Sequence, residues 1–172
     1  MSYQKYIMKN NNLKISVIIT TLNEGKRLYK TINSLIKQSY LPDEIIISEG
    51  GSLEETKKIL NIFFTKFRNI SILNRTKKCR GSGRNLGIES ASNTFVALID
   101  AGNIANKNWL FNFKKIIEED QNINIIYGSI VPIRNNFFSR NASNVIAGKN
   151  IKNYKLSNSV SSLFINKKVW KD

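Results

Sequence analysis

Four polar runs break the apolar segments of this chain, and each carries residues able to do chemistry. They are TLNE (Thr21 to Glu24), SEGGS (Ser48 to Ser52), GSGRNLG (Gly81 to Gly87) and DAGN (Asp100 to Asn103). The last is the most telling. Asp100 follows five consecutive apolar residues, Phe95 to Ile99, a run suited to a strand buried on both faces of a parallel sheet. A carboxylate at the end of such a strand sits where open α/β sheets bind ligands. Burying it without donors or a cation is costly. Arg84, upstream in a Gly-rich basic turn, could pair with a pyrophosphate through charge-assisted bonds. Glu49 precedes two glycines, so it sets an acceptor beside closely approaching backbone and could take the imide N–H of a uracil. Thr21, Asn23 and Glu24 leave another strand end, where short polar side chains can grip a base or a ribose.

Each run also has a plainer reading. Asn23 could cap a helix, SEGGS could be a simple strand-to-helix turn, Arg84 could be solvated, and Asp100 could cap a turn. GSGRNLG is not the dinucleotide fingerprint, because Leu86 stands where the third glycine belongs. Cys79 lies among Lys77, Lys78 and Arg80, neighbours that lower a thiol's pKa, but the chain has no second cysteine and no histidine to make a catalytic pair. Asp100, with Asn103 as a neutral oxygen donor, is a sparse set for Mg²⁺ or Mn²⁺, which usually take one or two carboxylates plus substrate phosphates.

The elements that would position these runs follow from periodicity. Strands are predicted over 15–20, 44–48, 70–73, 95–99, 123–127 and 161–165. Helices are predicted over 24–38, from Ser52 as N-cap to about Phe67, over 83–90 and over 106–119. The alternation implies an α/β, Rossmann-like, doubly wound and mostly parallel sheet with helices on both faces. Residues 1–13 read as a loose N-terminal segment and 14–172 as one domain. After Pro132 the pattern fades into a polar stretch that begins at Arg134 and runs to about Ser159.

Composition narrows the partners. With 27 basic against 12 acidic residues the net charge is +15, a balance that favours polyanions, nucleotide phosphates or anionic lipid headgroups. The basic residues are mostly Lys spread along the chain, which also suits a solvated surface. The absence of His excludes His-based metal sites, triads and general bases. No stretch reaches the roughly 18–20 apolar residues that span a bilayer, and MSYQKYIMKNNNLK lacks a signal-peptide core. A cytoplasmic chain is expected, with peripheral contact at the inner face of the membrane.

Order and spacing decide among the readings. ISVIITTLNE, EIIISEGGSLEET and GRNLGIESASNTFVALIDAGN together resemble family 2 glycosyltransferases of the GT-A fold, over nearly the whole chain from Lys14. The resemblance implies transfer of a sugar, with inversion, from a nucleotide-sugar donor, UDP-linked by expectation, to a glycan or lipid-linked acceptor in cell-envelope polysaccharide synthesis. It places Thr21, Asn23 and Glu24 near the nucleotide, Glu49 as the uracil-binding acid, Arg84 beside the sugar nucleotide, and Asp100 as the first acid of the family's Asp-x-Asp motif. It implies a divalent metal, Mg²⁺ or Mn²⁺, on Asp100 and Asn103. Gly102 stands where the second acid would be, as in a branch of the family with Asp-Ala-Gly and a downstream Trp-Leu, here Trp109-Leu110. SSLFINKKVWKD resembles the segment before the family's Gly-Gly-Phe turn, so the general base is expected beyond Asp172 and the domain is expected to be truncated. A non-catalytic nucleotide-sugar-binding remnant and a basic nucleic-acid-binding protein are the rivals. The latter would interleave aromatics with Lys and Arg on one sheet face, whereas most Phe and Tyr here fall on apolar helix faces or in scattered loops.

Overall fold

The structure, a computed structural model, describes residues 13–130 and 161–170. All but the last residue of the expected loose N-terminal segment, and the polar stretch from Arg134 to Ser159, lie outside the described residues. Within them the order is β1 (Ile15–Thr21), α1 (Lys26–Leu35), β2 (Glu44–Glu49), α2 (Glu54–Lys66), β3 (Ile70–Asn74), α3 (Arg80–Ser90), β4 (Phe95–Asp100), α4 (Trp109–Glu119), β5 (Ile125–Tyr127) and β6 (Ser162–Asn166), followed by a 3₁₀ turn, Lys167–Trp170.

The strands form one sheet in the order β3-β2-β1-β4-β6-β5. β1 pairs in parallel with β2 and β4, and β2 with β3. β6 runs antiparallel to both β4 and β5. The expected mostly parallel, doubly wound sheet is therefore observed. Alternate residues of the central strands feed two cores. Ile15, Val17, Ile19, Ile45, Ile47, Ala97 and Ile99 pack with α1, α2 and α4. Ile18, Ile46, Val96 and Leu98 pack with Ile88 and Ala91 on the other face. Burial on both faces is why these strands read as continuous apolar runs. β6 is held by Phe164, fully buried, which stacks on Phe95 and Phe113 at 5.3 and 5.0 Å between ring centres. Its pairing of Ser162 with Ile99 carries Ser161 to the end of β4.

Helix starts differ from the sequence-based expectation for local reasons. α1 begins at Lys26, because Asn23 and Gly25 both adopt positive φ (57° and 47°), which a helix does not tolerate. α4 begins at Trp109, after the Asn106 side chain accepts from the Asn108 N–H in a local turn. α3 begins earlier than expected, at Arg80, because Cys79 caps it by accepting from the Ser82 N–H at 3.3 Å. Ser52 does not cap α2. Its hydroxyl accepts from the Asn23 N–H, and the N-cap position falls to Leu53 without a side-chain bond.

α3 lies unusually close to β1. A Cβ at Gly87 would stand 2.5 Å from Ile18 Cγ2, whereas one at Gly81 meets nothing within 4 Å. Gly87→Ala is therefore expected to destabilise the fold by roughly 1–3 kcal/mol through overpacking. Gly81→Ala, in the same helix, should stabilise it by roughly 0.4–1 kcal/mol. Urea unfolding of the two variants checks this, and equal effects would mean that α3 does not ride on β1 as described.

Candidate functional site

β1 is the point at which the winding reverses. β2 and β3 lie on one side of it and β4 on the other, and the crevice at such a reversal is where α/β sheets bind ligands. The parallel register sets Thr20 opposite Asp100 and Thr21 opposite Glu49 at this edge. An open pocket of about 150 Å³ lies there, lined by the end of β1 (Thr20, Thr21, Leu22), by Glu24, by the turn after β3 (Arg75, Lys78, Arg80), and by Asp100 and Ala101. A second pocket, about 650 Å³, adjoins the other side of the Asp100 turn and is lined by Gly102, Asn103, Trp109, Ser161 and Ser162 among others.

Asp100 is the hub. Arg84 Nη2 donates to both its oxygens at 2.8 and 2.9 Å. Ser161 donates to Oδ2 at 2.6 Å and Thr20 to Oδ1 at 3.3 Å. Burial opposes ionisation of this carboxyl, but the hydrogen bonds from Ser161 and Arg84 and the charges of Arg84 and Arg80 outweigh it and hold its pKa below the ordinary value. Arg84 is thus mostly buried, its Nη2 is spent on Asp100, and it does not line the smaller pocket. Asp100 also serves the fold, because its loss would strand a mostly buried guanidinium.

Glu49 is a second internal acceptor, 5% exposed. Its carboxylate accepts from the Gly51 N–H at 2.9 Å and the Ser52 N–H at 2.6 Å. Burial pushes its pKa up, but the bonds from Ser52 and Gly51 pull it down further and leave it lowered. A carboxylate offers about four lone-pair positions, so acceptor capacity remains. Asn23 does not cap α1. It donates its N–H to Ser52 Oγ, and its side chain accepts from the Leu53 N–H at 2.8 Å, tying the first two strand-end loops together. Glu24 Oε2 faces Arg27 Nε at 3.1 Å.

Sequence reasoning passed over Arg75, Lys78, Arg80, Thr20 and Ser161. Arg75 is the instructive case. A Cβ at Gly50 would stand 2.9 Å from its Nη2, and one at Gly83 2.9 Å from its Nε. Glycines from two separate runs therefore make room for one guanidinium, which also donates to the carbonyls of Cys79 and Thr21. The signal available in the sequence was its place two residues after the Ile70 to Leu73 run, at the same sheet edge as Glu49 and Asp100. Five buried side-chain atoms among the described residues lack a hydrogen-bond partner: Thr21 Oγ1, Glu24 Oε2, Ser48 Oγ, Arg75 Nε and Arg84 Nε. Buried polar groups are usually satisfied, and all five belong to this edge, which makes it the candidate site.

A divalent metal fits this edge poorly. Each pocket carboxylate already faces a guanidinium: Asp100 faces Arg84, and Glu24 faces Arg27. Asn103 lines the second pocket rather than the one Asp100 lines. No group of three His, Cys, Asp or Glu side chains able to hold an ion occurs among the described residues.

The comparisons identify the family and the fold. The family model described as "Glycosyl transferase family 2" matches residues 16–169. Glycosyltransferase GlyG of Streptococcus pneumoniae serotype 4 is 26% identical over 111 residues, covering 63% of this chain and 37% of that protein. The crystal structure of S. aureus TarS residues 1–349 in complex with UDP superimposes with a TM-score of 0.71 at 20% identity, covering 92% of this chain and 48% of the other. Full-length TarS is named a poly(ribitol-phosphate) beta-N-acetylglucosaminyltransferase. The mannosyltransferase PcManGT of Pyrobaculum calidifontis, solved with GDP-Man and Mn²⁺, superimposes with a TM-score of 0.68 at 16% identity, covering 92% and 46%. At these identities the two structures show a shared GT-A fold. The chain spans about a third of GlyG and under half of the two structures.

The Asp100 hub has a pH signature. Because the folded pKa lies below the ordinary 3.8, the unfolded chain takes the proton first as pH falls, and the stabilisation is lost through the folded pKa. Asp100→Asn should cost roughly 1–3 kcal/mol at neutral pH. That deficit should persist down to about pH 4 and shrink below it. Denaturant titrations at a series of pH values measure this, and a deficit unchanged down to about pH 3 would mean that the charge on Asp100 is not what holds the hub.

Proposed function

The chain belongs to glycosyl transferase family 2, and from that premise we propose that it forms the donor-binding part of an enzyme that moves a sugar from a UDP-linked donor to a glycan or lipid-linked acceptor of the cell envelope. The observation that carries the reading is the pocket between the ends of β1 and β4. Its cations outnumber its carboxylates, as a diphosphate requires. In this reading the acceptor hydroxyl attacks the anomeric carbon, the sugar–phosphate bond breaks, and the nucleoside diphosphate leaves with the bonding electron pair. The hydroxyl proton passes to a general base, and the configuration inverts. Attack and departure on opposite faces need the donor fixed in one orientation. The second pocket, across the Asp100 turn, lies on the side available to sugar and acceptor.

The roles divide as follows. Glu49, kept ionised by its loop N–H groups, offers its remaining lone pairs to the uracil imide. Thr21 Oγ1, buried and unpaired, and Asn23 and Glu24 stand nearest the nucleoside. Arg84 holds Asp100 rather than the phosphates, and Asp100 thereby fixes the wall between the two pockets. The divalent ion implied by the family resemblance has no part in this scheme. No helix among the described residues is long and apolar enough to cross a membrane. With a net charge of +15, peripheral contact with anionic lipid is proposed as well.

Calorimetric titration with UDP, GDP, ADP and a short DNA duplex tests the reading. UDP should bind at least roughly tenfold tighter than ADP, a difference of about 1.4 kcal/mol. Equal, weak and strongly salt-dependent binding of all nucleotides, with tight binding of DNA, would favour a nucleic-acid-binding protein instead.

A further inference from the structure

We propose that this site neutralises the donor's diphosphate with its own cations, Lys78 and Arg80 foremost, and binds the nucleotide without a divalent metal. The inference rests on the nucleotide-sugar reading above. It starts from a charge count around the smaller pocket. The two carboxylates there, Glu24 and Asp100, each face a guanidinium, Arg27 and Arg84. That leaves Arg75, Lys78 and Arg80 on the lining with no carboxylate of their own among the described residues. An incoming cation would meet three positive charges that form no ion pair among the described residues, whereas a diphosphate would meet its counterions.

The available lone pairs point the same way. A metal ligand must present a free oxygen, and Asp100 spends both of its oxygens on four hydrogen bonds, two from Arg84 and one each from Ser161 and Thr20, while Glu24 Oε2, the pocket oxygen that accepts no hydrogen bond, lies 3.1 Å from the Arg27 guanidinium. To reach an ion it would have to release Arg84, whose Nε is already buried without a partner. The turn offers no second acid. Gly102 adopts φ 99°, a conformation that side chains rarely hold, and a Cβ there would lie 3.8 Å from Glu24 Oε2, so an acid would enter beside another carboxylate.

Shape supports the division of labour. About 150 Å³ suits a diphosphate rather than a whole nucleotide sugar. Lys78 lies just before α3 and Arg80 is its first residue, at the end of the helix where backbone N–H groups and the macrodipole favour an anion. The buried, unpaired Thr21 Oγ1 and Arg75 Nε belong to side chains on the same pocket wall. Arg75 is fixed by Gly50 and Gly83 and by backbone carbonyls, so it supplies a standing field, while Lys78 and Arg80 are free to close on phosphate.

The test is calorimetry of the 172-residue chain with UDP and with UMP, in EDTA and then in Mn²⁺. The UDP dissociation constant should agree within about threefold between the two conditions, and UDP should bind at least about tenfold tighter than UMP in EDTA. Lys78→Ala and Arg80→Ala should each weaken UDP binding in EDTA by about tenfold or more with an unchanged melting temperature, since neither side chain anchors the fold. Binding of UDP that appears only with Mn²⁺, or improves more than about tenfold with it, would overturn the metal-free assignment and leave the nucleotide reading intact. Unchanged affinity in both variants would also overturn it. Absence of UDP binding in both conditions would remove the nucleotide reading itself, and this inference with it.

Discussion

The ion pair between Arg84 and Asp100 is the constraint on which the rest of the site depends. It joins α3 to β4, with side-chain exposures of 17% and 12%, so neither charge can be left alone without a penalty. The pair forms because Gly87 lets α3 settle against Ile18 of β1, and because β4 ends on Asp100 rather than short of it. Ser161, delivered by the antiparallel β6, completes the carboxylate's shell. One interaction thus gathers a helix, two parallel strands and a strand contributed from a distant part of the chain.

A second arrangement stands beside it. Arg75 occupies a slot between Gly50 and Gly83, and Glu49 folds its own loop around its carboxylate through Gly51 and Ser52. The glycines of SEGGS and GSGRNLG therefore have a shared spatial purpose, even though 30 or so residues separate them in the chain. They admit a guanidinium and a backbone turn where side chains would collide. The result is a rigid, positively charged rim at the carboxyl ends of β1, β2, β3 and β4.

The fold was legible because its signals are strong and local. Val96 to Ile99, Ile45 to Ile47 and Val17 to Ile19 are buried on both faces and read as unbroken apolar runs, and helices alternate with them. Helix starts were less legible, because they turn on single contacts: the left-handed Asn23 and Gly25, the Asn106 turn, and the Cys79 cap. The positions of Glu49 and Asp100 at strand ends were also visible. Their partners were not, since pairing is a tertiary fact. Arg84 read as a phosphate ligand because a basic residue in a Gly-rich turn resembles one, and nothing local announces that Asp100 lies across the sheet edge to receive it. Arg75 and Ser161 were passed over for the same reason.

The chain belongs to glycosyl transferase family 2 and shares the GT-A fold. In the proposed scheme internal pairs hold the frame, and Lys78 and Arg80 at the start of α3 meet the ligand. A crystal structure of the chain with UDP tests that claim most directly. It should show the diphosphate within hydrogen-bond reach of Lys78 and Arg80, with Arg84 still on Asp100. A structure in which Asp100 has left Arg84 to ligate a cation, or in which UDP sits away from the β1–β4 crevice, would contradict the account.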